Sequence, residues 1–545
     1  MAASRSAASS PLISAVVIAR NEAHQIAECL ETLRWADELV VVDGGSIDGT
    51  PEIARRYTDR VYVREWTGYA DQRRFALSKA AGQWVLMVDC DERIPSALAT
   101  EIRRVAERDG DGYDGFYIAR KSFFLRKWIR HAGWYPGYQL RLCRRARAGV
   151  TDRAVHEGLV VEGRVGYLSE AMLHFTYPSL EAALERINRY TTLEVKDRHP
   201  ARRVGPLDFL FHPLAEFLKK YVGRAGFREG MHGLLLAATS GFYKLVLYVK
   251  LWESQRGTAT LPVLPKPSEL AGDRAPVSVL VIAKNEERNI RDCLLSARWA
   301  DEVVVVDTGS TDATPQLARE LADRVLLRPW RGYAATKQEA LAELRNDWIL
   351  WLDADERVSP ELAAEIREAI RHSDYAGFEI PRLAWFLGGW IRHSGWFPGY
   401  VARLFRKDKG SFTDSLVHEG LEIEGRVGRL RNPLIHLTDP ELQHYMEKFN
   451  RYTTLAAQQE RGRGRRFRLW KLLFHPPHMF FRMYVLQRGF RDGTQGWILA
   501  LLSGGYVFFK YAKLWQLETL GEENVTVQDR LGREKASSRA AWERM

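Results

Sequence analysis

"VLMVDCDE" occupies residues 85–92: an apolar run stops on Asp89, a cysteine follows, and Asp91 and Glu92 come next. Residues 349–356 read "ILWLDADE", with Asp353, Asp355 and Glu356 in the same places. A strand buried on both faces gains no packing by ending on carboxylates, since unpaired charge is costly away from water. The acids therefore mark a rim. Asp-x-Asp brings two hard oxygen ligands near one point when the backbone turns between them, which suits Mg2+ or Mn2+ and leaves positions open for phosphate oxygens. A single such pattern is ordinarily a solvated turn. Behind an apolar strand, twice, at matching positions, it reads as a site.

The repetition extends along the whole chain. "WADELVVVDGGSIDGTPEIAR" (35–55) and "WADEVVVVDTGSTDATPQLAR" (299–319) agree at 15 of 21 positions, at an offset of 264. "VVIARNE" answers "LVIAKNE", "GWYPGYQLRLCRR" answers "GWFPGYVARLFRK", "VHEGLVVEGRVG" answers "VHEGLEIEGRVG", and "INRYTTL" answers "FNRYTTL". A period this long is two whole domains rather than a solenoid. The expected layout is a disordered tail (1–11), a first domain (12–185) with a helical tail (186–255), a Pro/Gly/Ala-rich linker (256–275), a second domain (276–447) with its tail (448–520), and a flexible C-terminus (521–545).

Each repeat opens as an α/β domain. "SAVVIA", "ELVVVD", "RVYVRE" and "WVLMVD" are short Val-rich runs, as expected of a mostly parallel sheet covered on both faces. Helical stretches separate them, and Thr50–Pro51 reads as an N-cap followed by the first helical residue. In such a fold ligands bind beyond the carboxyl ends of the strands. Asp43 and Asp89 each end a strand, so both project at one rim.

The 545 residues carry a net charge of +11 and are 46% hydrophobic, enough for more than one buried core. A basic balance points to an anionic partner. The four cysteines form no CxxC pair, and a reducing cytosol is the simpler setting for them.

"VVIARNE", "VVVDGGSIDGT" and "GQWVLMVDCDE", with "LVIAKNE", "VVVDTGSTDAT" and "NDWILWLDADE" in the second repeat, resemble the successive landmarks of family 2 glycosyltransferases, which have the GT-A fold. "FFLRKWIRHAGWYPGYQLRL" and "VHEG…GRVGYL…LHFTY" are similar to the lipopolysaccharide-core β-1,4-glucosyltransferase group of that family. The resemblance covers residues 12–255 and 276–520. It implies a UDP-sugar donor, with Glu22 and Glu286 at the uridine or ribose, Asp43 and Asp307 at the uracil ring, and Arg73 and Lys337 beside the diphosphate. It places Asp91 and Asp355 directly on a Mg2+ or Mn2+ ion, with Asp89 and Asp353 on the ribose or the metal shell. An inverting transfer also needs a base for the acceptor hydroxyl. Glu157 and Glu419 stand where the family carries it, with Asp152 and Asp414 as rivals. His156 and His418 would orient the base or touch the diphosphate. Trp134, Arg141, Trp396 and Arg403 fall to the acceptor side, where aromatic faces stack on sugars and arginine holds phosphate or carboxylate. His174 and His436 recur as well and read equally as core histidines.

The tails combine apolar runs with Lys, Arg, Phe, Trp and Tyr. Lys244 and Lys510 interrupt the longest runs, so a spanning helix is not expected. Helices lying in the interface of an anionic membrane are one reading and helices packed on their own domain the other. The expectation is a peripheral enzyme on the cytoplasmic face of the inner membrane, taking a hexose from a UDP-sugar to a lipid-linked or lipopolysaccharide-core acceptor, with two active sites. The rivals are one catalytic and one regulatory repeat, a nucleotidyltransferase, for which "IARNEAHQI" supplies no Gly-rich phosphate loop, and a basic scaffold. No nucleic-acid motif is present, and no nucleic-acid partner is expected.

Overall fold

The computed structural model describes residues 11–151, 158–197, 203–257, 275–371, 374–413 and 420–521. The chain divides into two compact units, with the boundary between Lys250 and Leu251 and with Arg203–Pro206 belonging to the second. The expected domain ends at 185 and 447 fall inside helices Leu180–Asp197 and Leu442–Gly462.

In the first unit strands Val61–Val63, Glu38–Asp43, Ile13–Ala19 and Trp84–Asp89 lie side by side in that order, all parallel. Every residue of Ile13–Ala19 is buried. Ala15, Val17 and Ala19 pack into one core and Val16 and Ile18 into another, on opposite faces. A strand covered on both faces needs a continuous apolar run, which is what this sequence has.

The other half of the sheet is mixed, which the apolar runs do not disclose. Gln139–Arg144 joins antiparallel to Trp84–Asp89, and Gly115–Phe124 antiparallel to Gln139–Arg144. Val165–Tyr177 runs parallel to Gly115–Phe124. The two-residue strand Glu92–Arg93 then pairs with Leu173 and His174 at the far edge. The chain therefore leaves the parallel half at Asp89 and crosses the rim within three residues. The second unit repeats the order as Arg324–Leu327, Ala300–Asp307, Ala275–Ala283, Trp348–Asp353, Tyr400–Arg406, Gly377–Phe386, Leu434–Asp439 and Glu356–Arg357.

Register brings the strand-end acids together. Ala19 lies opposite Asp43 while its neighbour Ile18 lies opposite Asp89. Ala283 and Ile282 stand in the same relation to Asp307 and Asp353.

Each tail is helical. Helix Met231–Arg256 carries Lys250, which is 5% exposed and donates to the Asn188 carbonyl (2.6 Å), the Asn188 amide oxygen (2.7 Å) and Thr192 Oγ1 (2.6 Å). Lys513, on Gly493–Leu520, donates likewise to Asn450, Thr453 and Thr454. The repeated "NRYTT" is thus a socket for a buried ammonium. Met231–Arg256 is, among the described residues, long and apolar enough to cross a membrane by length and composition, which the interrupting Lys244 argued against. Two thirds (67%) of its apolar window is nevertheless buried inside the fold.

Removing the ammonium leaves those acceptors without their donor, at about 1–3 kcal/mol for each buried group left unsatisfied. Lys250→Met and Lys513→Met should each destabilise the protein by about 3 kcal/mol, read as a shifted urea unfolding midpoint. An unmoved midpoint would show that the socket contributes nothing to stability.

Candidate active site

The first loop of the rim is built by its own side chains. Asn21, in the left-handed region at φ 57°, accepts the Ile47 N–H through its side-chain oxygen (3.0 Å) and donates its own N–H to Ser46 Oγ (2.7 Å). Asp43 accepts the N–H groups of Gly45 (3.0 Å) and Ser46 (2.8 Å) and the Ser46 hydroxyl (2.5 Å). Asp48 accepts from Ala23 N–H (3.0 Å) and from the Thr50 N–H (3.1 Å) and hydroxyl (2.5 Å). Thr50 is the first helical residue rather than the cap, which is Gly49. Its hydroxyl receives the Glu22 N–H at 2.8 Å. Asn285, Asp307, Ser310, Asp312 and Thr314 reproduce the network around Glu286. Burial pushes the Glu22 carboxyl up, with Gln25 opposing and Asp91 adding to the rise. Glu286 is raised by burial too, with Asp355 nearby.

The acids that open the sequence separate into two roles. Asp89 lies between two guanidiniums, Arg73 at 2.9 Å on one oxygen and Arg141 on the other. Arg141, 5% exposed, also donates to Glu92 (2.6 Å), and Glu92 receives the Asp89 N–H (3.0 Å). Burial raises the Asp89 carboxyl, but Arg141 and Arg73 more than offset it and hold it far below the usual range. Arg403 joins Asp353 (2.5 Å) to Glu356 (2.7 Å) in the second unit. There the Lys337 ammonium and the Arg403 guanidinium lie 3.5 and 3.9 Å from the Trp351 ring centroid. Arg141 and Arg403 are thus placed among the rim acids and not in the aromatic corner, because their strands run directly beside Trp84–Asp89 and Trp348–Asp353.

Asp91 faces a different set. His174 Nε2 is 3.4 Å and Arg186 Nη2 3.5 Å from its Oδ2, and the Asp91 carbonyl accepts the Phe175 N–H (2.8 Å). Ser122 lies 3.0 Å from His174 Nδ1 and fixes the ring. Burial raises Asp91, and His174 with Arg186 brings it below the ordinary value. Asp355 meets His436 Nε2 at the same 3.4 Å. His174 and His436 therefore stand beside the rim acids, placed by the Glu92–Arg93 and Glu356–Arg357 crossings. Arg186 and Lys448 also went unread, although a cation recurs two residues before each "NRYTT" asparagine.

Among the described residues no group of three His, Cys, Asp or Glu side chains is gathered as a ready metal cage. One carboxylate and one imidazole nitrogen directed at a common point do fit a divalent cation at Asp91–His174 and Asp355–His436. Asp89 fits it less well, since Arg73 and Arg141 take both of its oxygens, and Arg403 takes one oxygen of Asp353.

Trp134 packs against Phe124 and Tyr177, and Trp396 against Phe386; both are half-buried. Glu229 holds the first of these loops by accepting the Arg130 (2.9 Å) and His131 (3.0 Å) N–H groups, His131 Nδ1 (2.7 Å) and Lys127 (2.9 Å). Asp492 does the same for Arg392, His393 and Ser394. The halves differ most at one patch. Tyr117 and Tyr138 pack on Tyr167, ring centroids 5.2 and 4.8 Å away. The equivalent residues of the second unit are Glu379, Tyr400 and Arg429, an ion pair (2.8 Å) with Arg429 over the tyrosine. Glu379 and Arg429 there border an open groove of ≈370 Å³ floored by Ala402, Leu421, Ile423 and Val427. Asp152, His156, Glu157, Asp414, His418 and Glu419 lie outside the described residues.

The family model described as glycosyl transferase family 2 matches residues 14–158 and 278–420. The lipopolysaccharide core biosynthesis glycosyltransferase LpsC of Rhizobium meliloti is 35% identical over 260 residues, 45% of this chain and 94% of that protein. The uncharacterized glycosyltransferase RT0209 of Rickettsia typhi is 30% identical over 268 residues, 46% of this chain and 91% of that one. Among solved structures, S. aureus TarS 1–349 in complex with UDP aligns with a TM-score of 0.24 at 17% identity, covering 45% of this chain and 91% of that chain.

Arg141→Met removes the guanidinium that bridges Asp89 and Glu92 and breaks its fully buried pair with Glu92. Breaking such a buried pair costs about 3–5 kcal/mol, so Arg141→Met and Arg403→Met should each lower the unfolding midpoint at pH 7 markedly. A variant as stable as the parent would mean that the bridge is incidental.

Proposed function

We infer, from the premise that the chain belongs to glycosyl transferase family 2, that each half moves a hexose, glucose before others, from a UDP-sugar to a lipid-linked or lipopolysaccharide-core saccharide. The fold is two tandem GT-A domains, each with a helical region after it. The observation that carries the reading is the pair formed by Asp91 with His174 and by Asp355 with His436, at one distance and at the carboxyl end of the same strand in both halves.

The reaction is a displacement with inversion. The acceptor hydroxyl oxygen bonds to the anomeric carbon, the bond from that carbon to the diphosphate oxygen breaks, and UDP departs with the electron pair. The hydroxyl proton passes to a carboxylate, for which Glu157 and Glu419 are the candidates, with His156 and His418 beside them. Mg2+ or Mn2+, held by Asp91 and His174 or by Asp355 and His436, would supply positive charge against the diphosphate. Arg186 and Lys448 add fixed cations at the same edge, and a cation kept in place needs no reorganisation when charge develops. Glu22 and Glu286, raised by burial, suit hydrogen bonding to the nucleotide. Asp43 and Asp307 shape the loop beside it, and Arg73 and Lys337 close the diphosphate side.

The acceptor sides support different acceptors or linkages in the two halves. A tyrosine platform in the first half offers a stacking face for a sugar ring, whereas the second half has an ion pair and a groove. A donor of the cytoplasm and an acceptor on lipid place the reaction at the cytoplasmic face of the inner membrane. Phosphate-bearing glycolipid suits the exposed basic run at residues 461–468.

Asp91→Asn and Asp355→Asn, made separately, should each abolish one product and leave the other. Mass spectrometry of products from a panel of UDP-sugars with core oligosaccharide acceptors reads this out. Glu157→Gln and Glu419→Gln should lower kcat about 10²–10⁴-fold for the same respective products. One substitution removing all transfer while its counterpart removes none would leave a single active site and a regulatory repeat.

A further inference from the structure

We propose that residues Leu207–Phe227 of the first unit and Trp470–Phe490 of the second are in-plane docking surfaces for an anionic phospholipid bilayer. Helix Asp208–Leu218 and helix Leu469–Phe481 form most of each surface. Each helix packs on its unit through a narrow face: Phe209 and Leu472 are buried, His212 stacks on Tyr248, centroids 3.9 Å apart, and His475 meets the Tyr511 hydroxyl at 3.1 Å. The outer face is apolar: Phe211 is 59% exposed and Val222 60%, and Leu207, Leu210, Leu214, Leu218 and Phe227 are exposed with them. Their spacing, 207, 210, 211, 214, 218 and 222, is a single helical stripe. Apolar patches of this extent on a soluble surface mark an interaction site.

The internal duplication identifies the occupant. Aligned on Phe211-His212-Pro213 and Phe474-His475-Pro476, most of the exposed apolar positions recur, with Leu214 answered by Pro477 and Leu486 by Gly223. Leu210, Phe211, Val222 and Phe227 keep their identity as Leu473, Phe474, Val485 and Phe490, all exposed. Leu207 becomes Trp470 and Leu218 becomes Phe481, exposed again but different in shape. A protein partner packs against shape and resists such exchanges. A fluid hydrocarbon surface requires only that the side chain be apolar.

Charge fits the same occupant. Lys219, Arg224 and Arg228 are exposed along the first surface, and Arg482, Arg488 and Arg491 along the second. Between Trp470 and Arg491 there is no Asp or Glu. Cations bordering an exposed apolar stripe, with aromatic residues in it, are the composition of a helix held at an anionic headgroup layer. Gly233 and Gly496 keep each surface tight on its own unit, since a Cβ there would meet the Gly226 or Gly489 carbonyl at 1.8 or 2.0 Å. Glu229 and Asp492 end the two surfaces and grip the loops that carry Trp134 and Trp396, which brings those loops beside the lipid. Docking of this kind does not depend on the transfer reaction being read correctly.

The test is co-sedimentation of the purified full chain with phosphatidylcholine vesicles, with and without phosphatidylglycerol. The parent should pellet with the anionic vesicles and be released by raised salt. The variant Phe211→Ser, Leu218→Ser, Phe474→Ser, Phe481→Ser changes only exposed side chains and should partition about tenfold more weakly. Its near-ultraviolet circular dichroism and unfolding midpoint should match the parent. Failure of the parent to pellet, or equal pelleting of the variant, would overturn the proposal. So would concentration-dependent oligomerisation that the variant abolishes without any vesicle binding, since the stripe would then be a contact between copies. Vesicle binding is measured without any sugar, so its failure and a failure of the transferase reading are separate results.

Discussion

A single buried guanidinium in each unit makes the rim possible. Three carboxylates gather where Trp84–Asp89 ends, and three charges of one sign cannot share a dry site without a counter-charge. Arg141 neutralises two of them, Asp89 and Glu92, and Arg73 adds to Asp89. Asp91 is then left to face His174 and Arg186 across the edge. Arg141 can act in this way only because its strand lies against Trp84–Asp89, so the electrostatics of the site require the mixed half of the sheet. One terminal nitrogen of Arg141 makes both contacts, to Asp89 and to Glu92, and Arg403 repeats this with Asp353 and Glu356.

This division of labour explains what the residues disclosed by themselves and what they withheld. The apolar strands, the strand-end acids Asp43 and Asp89, and their duplication were legible because burial on both faces imposes a continuous run and nothing in packing accounts for its abrupt acidic end. Arg141 was legible as important but read toward the acceptor, because it follows an aromatic Gly-Pro turn and its partners lie far back in the chain. His174 was left between core and site for a related reason. The strand that delivers it to Asp91 pairs with Glu92–Arg93, and two residues carry no periodicity. Long-range pairing through so short an element cannot be deduced from local pattern. Asp43 shows the converse: its place at the rim followed from the strand, while its three local hydrogen-bond donors appear only in the folded loop.

The halves have diverged unevenly. Asp89, Asp91, Glu92, Arg141 and His174 all have identical counterparts in the second unit. Around them Met87 is replaced by Trp351, Arg73 by Lys337, Arg186 by Lys448 and Tyr177 by Asp439. Burial raises the Asp439 carboxyl despite Lys448 beside it, the cation that stands where the first unit has Arg186. The tyrosine platform, with its counterpart of Glu379, Tyr400 and Arg429, departs furthest. A donor common to both halves and acceptors that differ would produce such a distribution.

The tails reach the rim by two routes within each unit, which argues against reading them as appendages. Lys250 holds the Asn188 carbonyl and side chain, and Arg186, two residues earlier on that helix, lies against Asp91. Lys513 holds Asn450 likewise, two residues after Lys448, which pairs with Asp439 at 3.4 Å. A shift of the tail helix would therefore move the cation that faces the aspartate. Glu229 and Asp492 form the second route, from the exposed apolar stripe to the aromatic loop. Burial opposes ionisation of Glu229, but Lys127, His131 and two backbone N–H groups hold its carboxyl at about 2, so the grip is ionised throughout the physiological range. The tail of each unit is thus fastened at one point to the loop that carries Trp134 or Trp396 and at another to the helix that carries Arg186 or Lys448.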